Sequence, residues 1–345
     1  MNFQIAVLLG QDGITNGAIY ALLALSIILV FTVTRILLIP LGEFVTYGAL
    51  TMAAFQSGRA TGVVWLLVAM IIIDCLLDIR HLIKNGFDSR KAQWILLKLI
   101  YAGAMVAFTQ LFNLSEVPMF VQVLLTLLLL VPIGPMMYRL FFQPIASAQP
   151  LVLLIVSIAL HVTMVGVGLL LFGPEGGRTQ PFSDTVIRLG SVMLKSQTLW
   201  VIIVSVLLII FLFLAFERTL YGKALRAAAV NRMGARLMGI SPDFAGKATF
   251  ALAAFIGVLS GILIAPITTL YFDSGFIISL KGFVGAIIGG LISYPLAAIG
   301  AVGVGLVEAF SMFWASDYKE VIVFTLIIPF LIWRSLTSHH VEDEE

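Results

Sequence analysis

An all-α, polytopic transmembrane helix bundle is the fold class that this chain predicts, and three observations carry the expectation. Apolar residues make up 61% of the 345 residues and charged residues only 11%, against about 25% charge in a typical soluble domain. Mean hydropathy is +1.10. The apolar residues come in continuous runs rather than alternating, which excludes a barrel of membrane strands. A helical span needs about 20 mostly apolar residues, which gives this chain about 9–11 spans.

Taken in order, the candidate spans are 12–33, 38–57, 62–78, 93–112, 118–137, 149–172, 198–216, 248–270, 277–293, 295–314 and 319–335. The first is read as a retained helix, because MNFQIAVLLGQDGITNGAIY has neither a basic leader nor a small-residue cleavage site. The third and fourth are separated by Asp78–Lys91, which carries Arg80, Lys84, Arg90 and Lys91. Arg139 closes the fifth. The loop 173–197 follows the sixth, and its TVIRLGSVML alternates around Leu189-Gly190, the signature of a small surface hairpin. No Pro- or Ser-rich linker divides the chain, so 1–345 reads as one transmembrane domain. Cys75 is the single cysteine, which excludes an internal disulfide.

The polar island 217–247 interrupts the apolar runs. It carries Arg218, Lys223, Arg226, Arg232, Arg236 and Lys247 against Glu217 and Asp243. Basic residues concentrate in cytoplasmic loops, so the island should face the cytosol. Counting spans outward places the amino terminus outside and the carboxyl terminus inside. Arg35, the loop 78–91 and Arg139 then fall inside, while 173–197, with Arg178, Arg188 and Lys195, falls outside. The acidic HHVEDEE tail carries little weight in this rule.

Within the island, Tyr221 to Met238 is rich in helix-forming Ala, Leu, Arg and Met. Val230, Met233 and Leu237 recur on one side and Arg232 and Arg236 on another. Gly239 suits a left-handed stop. Ser241-Pro242 suits the cap and first position of the next helix. Such a helix either lies on anionic lipid or presents a surface, made approachable by its alanines and glycines, to another protein.

The stretch GKALRAAAVNRMGARLMGISPDFAGKATFALAAFIGVLSGILIAPITTL resembles the permease subunits of branched-chain amino acid ABC importers. The likeness continues through GFVGAIIGGLISYPLAAIGAVGVGLVEAF, SDYKEVIVFTLIIPFLIWRS, YRLFFQPIASAQPLVLLIVSIAL, FGPEG, IRLGSV and NGAIYALLALSIILVFTVTRI. In that family the island motif contacts the ATPase. The resemblance therefore implies an ATPase-coupling set of Gly222, Ala227, Ala229, Asn231, Arg232, Ala235, Gly239 and Ile240, together with Lys223, Ala224, Leu225 and Arg226. It also implies two ATP-binding subunits holding ATP and magnesium, a second permease as hetero-dimer partner, an extracytoplasmic solute-binding protein, and a bacterial inner membrane. Two departures stand out. The family's polar N-F-A-H-G-E is here Ile39-Pro40-Leu41-Gly42-Glu43, keeping only Gly-Glu, and 62–115 is long enough to add a helix pair.

Ionisable groups inside spans are costly and need a reason. Glu43 and Glu308 are candidates for the translocation pathway, with snorkelling for Glu43 and an interhelical hydrogen bond for Glu308 as the alternatives. Gly285, Gly289 and Gly290 join them if 282–294 forms a broken helix beside the path. Otherwise they, like Gly257 and Gly261, serve close helix packing. His161 reads as a packed polar residue, with no second metal ligand at helical spacing. Arg178, Arg188 and Asp273 are candidates for docking the binding protein. No phosphate-cradling G-x-x-x-x-G-K-[ST], metal cluster or hydrolytic set occurs, so no catalysis, resident cofactor or nucleic-acid partner is expected. Two functions remain: the permease subunit of an ATP-driven importer, or a carrier driven by an ion gradient, the latter suggested by the glycine-broken helices and buried carboxylates.

Overall fold

The computed structural model describes residues 3–86, 89–183, 185–189, 192–291 and 293–337. Gly190 of the expected hairpin turn and the acidic tail 339–345 lie outside them. The described residues form fifteen α-helices and one hairpin. Seven stretches are long and apolar enough to cross a membrane unaided, and they belong to α1 (Phe3–Thr34), α4 (Ser89–Leu111), α5–α6 with its extension (Met119–Ile145), α7 (Pro150–Phe172), α8 (Ser196–Arg218), α11 (Pro242–Ile264) and α13 (Tyr294–Trp314).

The remaining predicted spans fall short for visible reasons. α2 (Leu41–Gln56) begins only after Pro40 and has 16 residues. α3 (Val63–Asn85) runs beyond its expected end and carries Asp74, Asp78 and Arg80. α12 (Ser274–Ile288) has 15 residues and stops before Gly290 and Leu291, both at positive φ. The last run splits into α14 (Lys319–Thr325) and α15 (Ile327–Thr337). Pro329 explains that split, since it donates no N–H and its ring crowds the carbonyl of Thr325. Inside Met119–Ile145, α5 (Met119–Leu130) and α6 (Ile133–Met137) meet at Pro132, and a π-turn (Tyr138–Phe142) and a 3₁₀ turn (Gln143–Ile145) follow. Residues 62–115 do form a helix pair, α3–α4.

Two poles organise the bundle. At one, the start of α1 meets the start of α8, where Gln11 Nε2 donates to Thr198 Oγ1 at 3.3 Å. β1 (Val186–Leu189) and β2 (Val192–Lys195) pair antiparallel there, from Val186 opposite Lys195 to Leu189 opposite Val192, and Gly177 bridges Leu270. At the other pole, Val33, Thr34, Tyr138, Ala228 and Arg236 surround one cavity. The basic segments that the sequence gathers to one side share this second pole.

The core is α1, α2, α11, α12 and α13, and α1 packs most extensively on α13. Apolar burial drives nothing between helices in lipid, so backbones must approach closely for dispersion to act. At the crossing of α2 on α12 the approach is close from both sides. A Cβ on Gly275 would stand 2.0 Å from the Gly42 carbonyl oxygen, and one on Gly42 would stand 2.1 Å from that of Gly275.

Between α1 and α2, residues Arg35–Pro40 are irregular, with Ile36, Leu38 and Pro40 buried. Arg35 adopts φ +62 to leave α1. Ser157 of α7 satisfies the freed backbone, accepting from Ile39 N at 3.0 Å and donating to Leu37 O at 2.7 Å. Irregular backbone at such depth persists only where protein or a cavity receives it.

The crossing yields a stability prediction. Gly275→Val drives a branched side chain into backbone and should cost more than about 3 kcal/mol, read as loss of a monodisperse species and a lowered melting temperature in detergent. Gly303→Ala, with nothing within 4 Å of its Cβ, should be neutral or stabilising by less than about 1 kcal/mol.

Candidate functional site

The polar island folds as an elbow of two helices, where the sequence predicts one. Thr219 caps α9 (Leu220–Val230), accepting from Gly222 N at 3.0 Å. Gly222 lies so close to the end of α8 that a Cβ would meet the Ala215 carbonyl oxygen at 2.2 Å. Leu225 and Ala228 are buried in a cluster with Val33, Phe216 and Ala245. Asn231 then turns extended, at φ −147 and ψ 101, and its side chain caps α10 (Arg232–Leu237) by accepting from Gly234 N at 2.9 Å. That cap competes with continued helix and explains the break.

The stop is as expected from the sequence. Gly239 sits at φ +81, its N–H donates to Arg236 O at 3.1 Å, and Ile240 N donates to Ala235 O at 2.9 Å. Those bonds form a Schellman turn. Ser241 accepts from Phe244 N at 3.4 Å, with Pro242 opening α11.

The elbow divides the predicted coupling set by role. Gly222 and Ala235 face inward, and Ala229 packs against the same inner cluster. Gly239 makes the turn, and Arg232 begins α10. Ala227, Asn231, Ala235 and Ile240 line an open cleft of about 570 Å³. Val230 and Met238 also line it, and these two, with Leu220, Tyr221, Met233 and Leu237 elsewhere on the elbow, are each more than two-thirds exposed. Exposed apolar side chains beside a small-residue cleft with Arg226 on its wall suit a partner protein's surface.

Inside the bundle, Glu308 of α13 is engaged on both oxygens. Tyr20 Oη of α1 donates to Oε2 at 2.6 Å, and Lys281 Nζ of α12 donates to Oε1 at 2.6 Å. Lys281 also donates to Glu320 of α14 at 3.1 Å. Lys281 is not among the residues expected from the sequence. Its signal was a lysine in the middle of an apolar span, which is costly unless paired. Gly285 and Gly289 pack against Ala301 and Ala297 of α13, and Gly290 forms the turn beyond α12.

A second network had no sequence signal beyond its charges. Asp74 and Asp78 of α3 meet Lys98 of α4 at 2.5 and 2.7 Å. Arg139, on the π-turn, reaches Asp74 at 2.7 Å and also bonds Asp78. The four charges fasten the α3–α4 pair to the bundle at the basic pole.

Glu43 is fully buried in the first turn of α2. His161 Nδ1 stands 2.8 Å from its Oε1, and among the described residues neither atom has an aligned hydrogen bond. At the hairpin pole, the Arg178 guanidinium donates twice to Pro266 O, at 3.2 and 3.0 Å. Arg188 lies on β1. Asp273 precedes α12, is exposed and makes no side-chain cap.

Comparison with known proteins bears on these features together. A family profile described as "Branched-chain amino acid transport system / permease component" matches residues 94–331. The high-affinity branched-chain amino acid transport system permease protein LivH of Escherichia coli K12 is 24% identical over 338 residues, covering 93% of this chain and 91% of that protein. LivH of Salmonella typhimurium matches to the same extent. The corresponding permease BraD of Pseudomonas aeruginosa is 31% identical over 151 residues, 42% of this chain and 48% of that protein. No solved structure matches the chain.

The buried ion cluster predicts an asymmetry. Lys281→Met strands two carboxylates and should destabilise by about 3–5 kcal/mol. Adding Glu308→Gln to it should recover part of the loss. Thermal melts of both variants in detergent measure the difference.

Proposed function

The chain belongs to the family of branched-chain amino acid transport permease components, its profile spanning 94–331, and on that premise we propose that it is the membrane-spanning subunit of an ATP-driven importer of branched-chain amino acids in a bacterial inner membrane. Family membership favours this reading over an ion-gradient carrier. The observation that carries the mechanism is the α9–α10 elbow. Its cleft and apolar rim receive an ATP-binding subunit, with the basic pole in the cytosol. Two such subunits hold ATP and magnesium, a second permease completes the membrane pathway, and a solute-binding protein delivers substrate at the hairpin pole near Arg178, Arg188 and Asp273.

The elbow suits transmission of force because both of its arms are anchored. α9 is seated on α8 through Gly222, and the cluster of Val33, Ala228, Ala235 and Ala245 ties it to α1, α10 and α11. Closure of the ATP-binding subunits moves those helices together. α1 in turn packs on α12 and α13. Binding energy thereby shifts the population between outward- and inward-open bundles, in proportion to its difference between the two states.

Two measurements test this reading. Ala227→Trp fills the cleft and should lower ATP-driven uptake by at least about tenfold, the equivalent of ~1.4 kcal/mol of lost contact, with protein level in the membrane unchanged. Unaltered uptake would remove the cleft from the mechanism. Lys223→Cys, on an exposed turn of α9, should react with a membrane-impermeant maleimide only from the cytosolic face. Native Cys75 is buried and gives little background.

A further inference from the structure

The Glu43–His161 pair lies beside a groove that the importer mechanism has not yet used. α2 and α7 run side by side, held in register by Tyr47 Oη donating to Met164 O at 2.6 Å. Tyr47 is one turn beyond Glu43 and Met164 about one turn beyond His161, so this bond sets the carboxylate opposite the imidazole. The His161 ring stacks on Phe276 in the first turn of α12, with centroids 4.5 Å apart and planes at 28°. Phe276 lines a groove of about 310 Å³ together with Ile27, Leu38, Leu154, Ser279 and Phe283. Leu154 is two helical turns before His161 on the same face of α7. The irregular backbone held by Ser157 forms another wall, since Leu37 and Ile39 also line the groove.

Three facts point to a ligand. The groove has the volume at which small-molecule sites begin, about 300 Å³, and its lining is apolar and aromatic apart from Ser279. Its polar neighbour is a fully buried carboxylate that meets His161 through Oε1 and leaves Oε2 without a hydrogen bond among the described residues. Such a group costs more than a satisfied one and needs a compensating role. By contrast, Lys281 is paired with both Glu308 and Glu320, and Glu308 also accepts from Tyr20, so both Glu308 oxygens are committed within the bundle.

We propose that this groove is a transient subsite for the transported amino acid, taking its branched side chain between Phe276 and Phe283 and its carboxylate at His161. Nδ1 faces Glu43, so Nδ1 carries its proton toward that carboxylate, and Nε2 donates to the substrate carboxylate from the imidazolium form. Glu43 is a positioning residue that holds the ring's orientation and balances its charge from behind. The proposal rests on the importer reading and adds to it where the substrate pauses.

The test uses the complete importer in proteoliposomes, with its binding protein saturated with leucine, and records leucine moved per ATP hydrolysed. His161→Leu should lower that ratio by about tenfold, the size expected for one lost charge-assisted hydrogen bond, while binding-protein-stimulated hydrolysis stays within about twofold. His161→Gln, which keeps a donor, should recover at least half of the loss. Leu154→Trp, which fills the groove, should mimic His161→Leu. Glu43→Gln should give a smaller loss of the same kind. An unchanged ratio in His161→Leu and Leu154→Trp would overturn the proposal. So would a joint fall of hydrolysis, uptake and melting temperature that His161→Gln does not rescue, because that marks a purely structural pair. A wild-type assembly that hydrolyses ATP without moving leucine would instead refute the importer reading itself.

Discussion

Everything in this bundle follows from the poverty of the hydrocarbon as a solvent. Water satisfies a stray N–H, carbonyl or charge at the surface of a soluble protein, whereas lipid tails do not, so each departure from plain apolar helix must find its partner inside the chain. The irregular Leu37–Ile39 backbone is held by one serine. Lys281 is held by two carboxylates. Asp74 and Asp78 are answered by Lys98 and Arg139. Each solution joins different helices, so the groups that are costliest to bury also determine how the helices assemble.

The same poverty shapes the apolar contacts. With lipid as greasy as leucine, helices gain by approach rather than by exclusion of water. The Gly42–Gly275 crossing is backbone against backbone from both sides. It brings the N-terminal turns of α2 and α12 together, and with them Glu43, His161 and Phe276. The short lengths of α2 and α12 belong to the same arrangement. Two helices that each crossed the full bilayer would carry these first turns out to the surface, and a buried polar pair could not form between them.

Much of this was legible in the residues. Long apolar runs gave the helices, the island gave the basic pole, and Gly239 with Ser241-Pro242 gave the end of one helix and the start of the next, because these signals act within a few residues of one another. The elbow was less legible. Asn231 has adequate neighbours for helix on both sides, and only its side chain's bond to Gly234 reveals a cap. Partnerships across the chain were not legible at all. Glu43 and His161 are 118 positions apart, and Tyr20 and Glu308 are 288 apart. A single sequence states that such groups must be paired but not with whom. Lys281 shows that even the first half of that statement is easily overlooked when a lone charge sits in an apolar stretch.

The two buried polar clusters also differ in kind, and the difference bears on how force from the elbow could move a solute. At Lys281 the ammonium and both Glu308 oxygens are committed, across α1, α12, α13 and α14, and among the described residues Glu320 Oε2 is left without a hydrogen bond. Separating those helices would strand charges in lipid, which makes the four a rigid unit. At Glu43 the commitments are incomplete, and the contact between α7 and α12 is an aromatic stack of His161 on Phe276. An aromatic pair contributes about 0.5–1.5 kcal/mol beyond its buried area, far less than an internal ion cluster costs to break. A bundle pushed from the basic pole should therefore yield first along the α7–α12 seam, with the Lys281 unit moving as a body. That seam is also where the groove lies. The α7–α12 seam thus brings together an aromatic stack and a buried carboxylate with no aligned hydrogen bond among the described residues.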